Sequence, residues 1–316
     1  MQTRIVRMGA AIAVVVLALA VDQTVAFAAS DKESCSEKDA TVKNINADGT
    51  EAFCDASTGP PNKTKATASD KGFAYSEAED TSSATSFASG TGANSVSEAF
   101  SSSKATSSAS GDSANSVSEA FGSSKASSAA SGSSADAVSE AESGTTKATA
   151  LGDSSTAVSE IDASGGGKTT STATGGATAV ATIPSGGGGD AVAKAGDSGA
   201  EAVADIAGGG GKATSNSSGE NSTGVAEAED GGVAKATASD GNNDVYAYAL
   251  AAGCKATANG SGSGGEAGAE CKNSGSVVTA TATKGSIAIG SDTAAPTCTP
   301  LNGGIAKVKS PKGNCP

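Results

Sequence analysis

Short stretches in which small and larger side chains alternate recur along the middle of the chain. In KATSSASG (104–111) every second residue from Ala105 is Ala, Ser or Gly, and in NSVSEAFG (115–122) Ser and Ala alternate with Val117 and Glu119. Alternation over such short runs predicts β-strands, and the Gly, Ser, Asn and Asp residues between them predict turns. Helix is disfavoured, because Gly and Ser have low helix propensity.

Two landmarks repeat with the same period of about 21 residues, which is typical of a solenoid or another repeat array. One landmark is a lysine, and we expect these lysines to stack in one solvated column about 4.8 Å apart. They are Lys104, Lys125, Lys147, Lys168, Lys212, Lys235 and Lys255. The other landmark is a valine, which recurs at Val96, Val117, Val138, Val158, Val180, Val203, Val225 and Val245.

We therefore predict that each repeat forms one coil of strand, turn, strand and turn. Stacked coils would give an all-β fold, a flattened β-solenoid (β-roll). Val117 and Glu119 have the same parity and so face the same way on a strand. We expect them to point outward, and Ala and Ser to fill a thin core. Disorder is the alternative, because chains rich in Ser, Gly, Ala and Thr also form linkers. The two phased landmarks favour the solenoid.

The N-terminal residues resemble a secretory signal peptide. Arg4 and Arg7 precede an apolar run over 10–20, and Ala26-Phe27-Ala28 offers a cleavage site. We expect residues 1–28 to be removed and the chain to be secreted, to the cell surface, the extracellular space or the periplasm. The net charge of −13 makes nucleic acid an unfavourable partner.

Six cysteines are expected to form disulfides in an oxidising compartment. They are Cys35, Cys54, Cys254, Cys271, Cys298 and Cys315. Spacings of 19, 17 and 17 residues favour three local pairs among the 15 possible connectivities, and a structural zinc site is the weaker reading. The predicted organisation is a disulfide cap over 29–64, a repeat solenoid over 65–293 and a disulfide tail over 294–316.

The composition leaves little room for site chemistry. SGGGKTTS (164–171) looks like a phosphate-binding loop, but Asp162 stands where the first glycine is required. Asp112, Asp153 and Asp197 follow turn glycines and are weak calcium candidates. The chain has no His, so a conventional Ser or Cys triad is excluded. We predict no catalytic, cofactor-binding or metal-binding residue and no small-molecule substrate, and a single imperfect threonine column gives little support for ice binding.

The motifs ALGDSSTAVSE (150–160) and GSIAIGSDTA (285–294) resemble the head repeats of trimeric autotransporter adhesins. The resemblance covers about residues 83–293 and implies a β-roll that projects from a cell surface. The period of about 21 residues, and the absence of a recognisable coiled-coil stalk or barrel anchor, depart from that family. The predicted function is that of a secreted, non-enzymatic structural or adhesive protein with self-association or a surface or matrix partner. The alternatives are a solenoid that binds calcium, glycan or ice, and a disordered secreted polymer.

Overall fold

The computed structural model describes the backbone of sixteen segments of the chain, and every structural statement below concerns these residues. They are 40–41, 51–56, 63–68, 72–78, 83–101, 104–161, 167–184, 189–207, 211–229, 232–240, 242–249, 255–261, 264–271, 277–283, 288–291 and 305–310.

All regular structure in the described residues is β-strand. The strands are β1 (Ala40–Thr41), β2 (Glu51–Ala56), β3 (Lys63–Ala68), β4 (Phe73–Ala78), β5 (Ser83–Ser89), β6 (Asn94–Ala99), β7 (Lys104–Ser110), β8 (Asn115–Ser131), β9 (Asp136–Leu151), β10 (Thr156–Ile161), β11 (Gly167–Thr174), β12 (Thr178–Ile183), β13 (Asp190–Gly196), β14 (Glu201–Ile206), β15 (Lys212–Ser218), β16 (Thr223–Ala228), β17 (Val233–Ser239), β18 (Asn242–Ala249), β19 (Lys255–Gly260), β20 (Gly264–Cys271), β21 (Val277–Thr283), β22 (Ala288–Ser291) and β23 (Ile305–Ser310).

The strands stack into a β-solenoid, as predicted. Strands pair in parallel with the equivalent strand of the next coil, and Val96 of β6 lies opposite Val117 of β8, 21 residues later. Each coil gives one strand to each of two sheets. In two coils a single long strand, β8 or β9, turns the corner and serves both sheets, with a register irregularity between Ala120 and Ser123.

We name the sheets by their outward side chains. The lysine sheet contains β3, β5, β7, the C-terminal halves of β8 and β9, and then every second strand from β11 to β21. The glutamate sheet contains β4, β6, the N-terminal halves of β8 and β9, and then every second strand from β10 to β20.

The interior between the sheets is filled by Ala and Ser, which confirms the predicted inward face. Ala105 and Ala120 are 0 % and 1 % exposed, whereas Val117 and Glu119 lie on the outside. Side chains this small let the two sheets approach closely. Close packing and the backbone ladders then supply the stability that large apolar groups usually provide.

Serine hydroxyls join the sheets across the interior in the N-terminal coils. The Ser107 Oγ lies 2.8 Å from both Ser116 Oγ and Ser118 Oγ. Ser118 in turn donates to the Ser127 carbonyl at 2.7 Å. The neighbouring coils repeat the pattern with Ser86 and Ser128 in the place of Ser107. Because these serine hydroxyls have partners, their hydrogen bonds offset the cost of burying them and cross-link the two sheets.

In the middle coils one interior column changes from Ala to Ile. Ile161 follows Ala141 in the ladder, and Ile183 pairs with Ile206. All three isoleucines are 0 % exposed. The adjacent corner makes room for them: a Cβ built on Gly167 would lie 2.5 Å from Ile161 Cδ1. Gly167 of the SGGGKTTS segment is therefore a packing residue at the start of β11.

The opposite corner carries a second column of glycines with positive φ. Gly132 has a φ of 150°, and a Cβ on it would lie 1.7 Å from the Gly111 carbonyl oxygen of the coil below. The Gly111 amide itself donates to the Ser131 carbonyl at 2.9 Å. Only glycine lets successive turns stack at the strand spacing at this point.

The predicted disulfide caps receive no support from the structure. Cys271 ends β20 inside the core, with 0 % exposure, and its Sγ lies 3.8 Å from the Val277 carbonyl oxygen. Cys54 lies in β2, whose side chains are outside the described part. The remaining cysteines are outside the described residues. Strands β1 and β2 pair in parallel with β3 and β4, and β23 pairs antiparallel with β21.

Candidate interaction faces

A column of valines runs along the outside of the glutamate sheet. Consecutive ladder positions hold Val96, Val117, Val138, Val158, Val180, Val203 and Val225. Tyr75 precedes this column, opposite Val96. β-branched side chains suit such a position because they pack on their cross-strand neighbours of the pleated surface. The result is an apolar ridge whose valines are half-buried by their neighbours, except for Val180, which is buried.

The last predicted valine landmark was wrong. Val225 lies opposite Tyr246, 21 residues later, and not opposite Val245. Val245 is 0 % exposed and points into the core. The aromatic rings of Tyr246 and Tyr248 stack with centroids 6.3 Å apart on the outer surface of β18. The run of valines is thus flanked on both sides by tyrosine, Tyr75 and Tyr246.

A column of carboxylates runs beside the valine ridge. Five consecutive coils place a glutamate at the same ladder position, namely Glu77, Glu98, Glu119, Glu140 and Glu160. Further along, Asp205 and Glu227 are neighbours in the same column. Parallel neighbours lie about 4.8 Å apart, so like charges are held close together on a half-buried surface. We call the five glutamates the glutamate ladder.

Three carboxyl groups of this column, those of Glu98, Glu119 and Asp205, have a raised pKa and are harder to ionise than usual. Burial, followed by the charges of Glu98 and Glu140, raises the pKa of Glu119 to about 7. Burial, followed by Glu227 and Glu229, raises the pKa of Asp205 to about 6. Both causes are those expected for partly desolvated carboxylates with like-charged neighbours.

Tyr75 stands at the start of the glutamate ladder. Its hydroxyl donates a hydrogen bond to Glu77 Oε2 at 2.9 Å. Burial, followed by the nearby charges of Glu98 and Glu77, raises the pKa of Tyr75 far above its usual range. Burial also raises the pKa of Glu98, although its hydrogen bond with Tyr75 acts in the opposite direction. Tyr75 is thus a neutral hydrogen-bond donor to the ladder.

The lysines do not form the single column that we expected. Lys125 lies opposite Lys104 of the preceding coil, as expected. In the following coil, however, Thr145 lies opposite Lys125, and Lys147 lies opposite Ser127. Lys147 therefore lies two residues further along its strand. Lys235 is displaced in the same way, since it pairs with Thr214 and Thr257. The lysines of this sheet whose side chains are described are all exposed, and they lie in three columns. Lys104, Lys125, Lys168, Lys212 and Lys255 share one column, and Lys65, Lys147 and Lys235 share the next. Lys194 lies in a third column, opposite Thr172 and Asn216.

Hydroxyl side chains fill much of the remaining outer surface of the lysine sheet. Thr170 and Thr172 project from β11 and Thr106 and Ser108 from β7, two residues apart in each strand. The sequence predicted a single threonine column, but the register divides its members between two parallel columns. Thr106, Thr170, Thr214 and Thr257 lie in one, and Thr149 and Thr237 lie in the other. Lys194 and other large side chains interrupt it.

The two outer faces carry charges of opposite sign. The outer face of the lysine sheet carries one acid among the described residues of its strands, Asp190. Its described lysines are Lys65, Lys104, Lys125, Lys147, Lys168, Lys194, Lys212, Lys235 and Lys255. The strands of the glutamate sheet contain no lysine in their described residues, and present Glu77, Glu98, Glu119, Asp136, Glu140, Glu160, Glu201, Asp205, Glu227, Asp244 and Glu270. The repeat pattern predicts a solvated lysine column and an outward Glu119, but these two expectations taken singly do not predict the segregation.

The candidate calcium ligands are not brought together. The Asp112 carboxylate accepts a bond from the Ser133 hydroxyl at 2.9 Å, and that of Asp197 accepts one from the Gly175 amide at 2.9 Å. These bonds join one turn to the next. No group of three or more His, Cys, Asp or Glu side chains that could hold a metal ion occurs in the described part of the chain.

The SGGGKTTS segment lacks the surroundings of a phosphate loop. Gly167 and Lys168 begin strand β11, and Thr169 is buried with 0 % exposure. A phosphate loop requires the N-terminus of a helix after the lysine. Within the residues described, the structure also contains no helix of the length and apolarity needed to span a membrane.

The fold and these faces define a repeat β-solenoid with a small-residue core and two outer surfaces of opposite charge. The sequence profile of a family described as a family of unknown function (DUF6764) matches residues 1–124. The match takes in the predicted leader and the coils as far as the corner within β8. Comparison with curated proteins found no match, and comparison with solved structures found none either.

Proposed function

We propose that this chain is a secreted, non-enzymatic structural or adhesive protein that acts through its repetitive outer faces. The observation that carries the proposal is the uninterrupted stacking of identical side chains, Val96 to Val225 and Glu77 to Glu160, along one sheet. Such ladders suit many weak, equally spaced contacts with an extended partner, because avidity multiplies modest individual affinities.

Several features support this proposal. The interior is occupied by Ala, Ser and a few larger apolar side chains, so the solenoid presents its chemistry on its surfaces. The leader over 1–28 favours secretion, and the resemblance to adhesin head repeats favours a position at the cell surface.

The experiment follows a tagged chain in cells that carry its gene. We expect recovery in the medium or at the surface, with Ala29 as the first residue by mass spectrometry. Cells without the chain should lose adhesion or cohesion. Recovery in the cytoplasm with an intact leader would refute secretion, and unchanged adhesion and cohesion would refute the structural role.

A matched pair of variants links that role to the solenoid. Gly132→Ala is expected not to restore adhesion, because its Cβ would overlap the Gly111 carbonyl of the preceding coil. Gly92→Ala changes a turn glycine with a φ of 75° whose added Cβ would meet nothing within 4 Å. It adds only the strain of an Ala in the left-handed region, about 1–2 kcal/mol, without a steric overlap, and is expected to restore adhesion. Equal rescue by both variants would mean that the ordered stack is not needed.

A second candidate function is binding of an ordered hydroxylated ligand, such as a glycan or ice, to the lysine sheet. The double hydroxyl column, with Thr170 and Thr172 on one strand, favours this candidate. Its hydroxyls repeat about 4.8 Å apart between strands and about 6.6 Å along a strand. An ice-recrystallisation assay and a polysaccharide-binding assay test it. No response in either would remove both ligands.

A further inference from the structure

The separation of charge between the two sheets points to a specific partner. Acids on the outside of the glutamate sheet and lysines on the outside of the lysine sheet are separated by the interior of the solenoid. Charges on opposite faces cannot pair within one copy. A second copy can bring the two faces together.

We propose that the acidic outer face of the glutamate sheet docks on the lysine face of a second copy of this chain. This inference rests on the proposed structural role and names the partner of the same faces. The association is heterologous, since each copy uses two different surfaces. It therefore continues from copy to copy into open stacks and does not close as a symmetric dimer.

The ladder spacing makes the two faces commensurate. Glu98, Glu119 and Glu140 occupy one column in consecutive coils, and Lys104 and Lys125 are consecutive in a column of the other sheet. The ladder positions of both columns repeat at about 4.8 Å, because both follow the rise of the same solenoid. From Lys125 to Lys255 lysine occupies every second position of its column, so its charges stay in phase with the coils. A partner with another spacing would match charges at one coil and lose the match a few coils later.

The faces also have the area that a specific interface needs. Strands of six residues are about 20 Å wide, and the coils from β4 to β20 extend over about 40 Å at the strand spacing, giving about 800 Å² per copy. This is the usual contribution of one partner to a stable complex. The valine ridge, with Tyr75 and Tyr246 at its ends, adds apolar surface beside the carboxylates.

The net charge of −13 repels copies from one another at long range. At 0.15 M salt the screening length is about 8 Å, so this repulsion falls away while contacts between faces persist. At 1 M NaCl the screening length is about 3 Å, and the contacts between charges weaken as well. Association is therefore expected at physiological salt and lost at high salt.

The first test is sedimentation velocity of the purified chain at 0.15 M and 1 M NaCl. We expect concentration-dependent species larger than a dimer at the lower salt, and a monomer at the higher. A monomer at both, or a dimer that does not grow, would overturn the proposal. A monomer that binds polylysine but not itself would overturn it in favour of a basic partner.

Two charge-reversal chains test the docking surfaces. The first carries Lys104→Glu, Lys125→Glu and Lys147→Glu, so that both of its faces are acidic there. The second carries Glu98→Lys, Glu119→Lys and Glu140→Lys, so that both of its faces are basic there. Each alone should associate at least about 100-fold more weakly than the original chain, because like charges meet across the interface.

A one-to-one mixture of the two chains should recover association. Both chains keep a net negative charge, so recovery cannot come from overall attraction. A mixture that stays monomeric, or single variants that associate like the original chain, would overturn the proposal. Circular dichroism checks that each chain keeps its strands. If the second does not, a chain with Gln at the same three positions replaces it, and an association less than tenfold weaker than that of the original chain would overturn the proposal.

The outcomes separate this inference from the proposed function. A secreted chain that is monomeric at both salt concentrations retains the structural role and loses the homotypic partner. A chain that stacks in solution but remains in the cytoplasm with its leader retains the partner and loses the proposed function.

Discussion

Replacing Glu119 by Gln should stabilise the solenoid at alkaline pH. Glu119 lies between Glu98 and Glu140 in the ladder and is half-buried. Its pKa is raised from 4.5 to about 7 in the folded chain, first by burial and then by these two charges. Above pH 7 the folded chain therefore carries a charge that is more easily accommodated in the unfolded chain. Gln keeps the size of the side chain and removes the charge.

The size of the effect follows from the pKa difference. The displacement from 4.5 to about 7 corresponds to about 3 kcal/mol between the two protonation states. Because part of the side chain remains in water, solvent screening reduces this, and we expect a gain of about 1–2 kcal/mol at pH 8. The folded state binds the proton more tightly, so the original chain gains stability as pH falls from about 7 to 4.5. The advantage of Gln should shrink to nothing over the same range.

Urea unfolding at pH 8 and pH 4.5 measures the effect, because urea is uncharged and does not screen the ladder. Hydrogen exchange of β6, β8 and β9 shows whether the gain is local, which is useful in a repeat array that need not unfold in one step. The control is Glu201→Gln, an exposed position of the same sheet between Thr178 and Thr223 in its column. Equal gains for both variants at pH 8, or a gain for Glu119→Gln that persists at pH 4.5, would refute the reasoning.

Three further substitutions test the interior and the corners. Gly132→Ala should abolish cooperative thermal unfolding by circular dichroism, because its Cβ would lie 1.7 Å from the Gly111 carbonyl oxygen, whereas Gly92→Ala should keep it. Thr169→Val should raise the urea midpoint by an amount equivalent to about 1–3 kcal/mol, because the buried Thr169 Oγ1 has no hydrogen-bond partner; a lower midpoint would contradict this. Ile183→Ala should cost about 2–5 kcal/mol in the same assay, since Ile183 is fully buried and its removal leaves a cavity; a loss below about 1 kcal/mol would mean that the sheets collapse around it.

The architecture could be predicted because period and parity are properties of the sequence. Once Val117 and Glu119 are placed on one strand face, the alternating Ala and Ser must lie on the other. The burial of Ser118 and Ala120 confirms this. The segregation of charge between the two sheets could also have been predicted from the sequence, since the lysines lie in the first strand of each repeat and the glutamates in the second. It was missed because each column was considered alone.

The register could not be predicted from the landmarks. Aligning copies on lysine places Lys147 with Lys125, yet the ladder places Thr145 there and puts Thr146 inward with Ala126. Inward positions accept Thr as well as Ala, so the alternation does not distinguish registers two residues apart. The prediction for Val245 was wrong for a related reason. In DVYAYA (244–249) either the Val or the Tyr positions can face inward, and the thin interior has room only for the smaller side chain, Val245.

The glutamate ladder is unfavourable in an isolated copy for the same reason that it suits a second one. In-register stacking holds Glu98, Glu119 and Glu140 in one column. Burial, followed by the charges of the two neighbours, raises the pKa of Glu119 and so lowers stability at neutral pH. The lysine face of a second copy would bring positive charge against this column and reduce the repulsion on docking. Glu119→Gln should therefore have opposite effects in the two states, since it stabilises the single chain and weakens the stack. If Glu119 had only a structural role, Glu119→Gln would change the stability of the single chain and leave the association between copies unaltered.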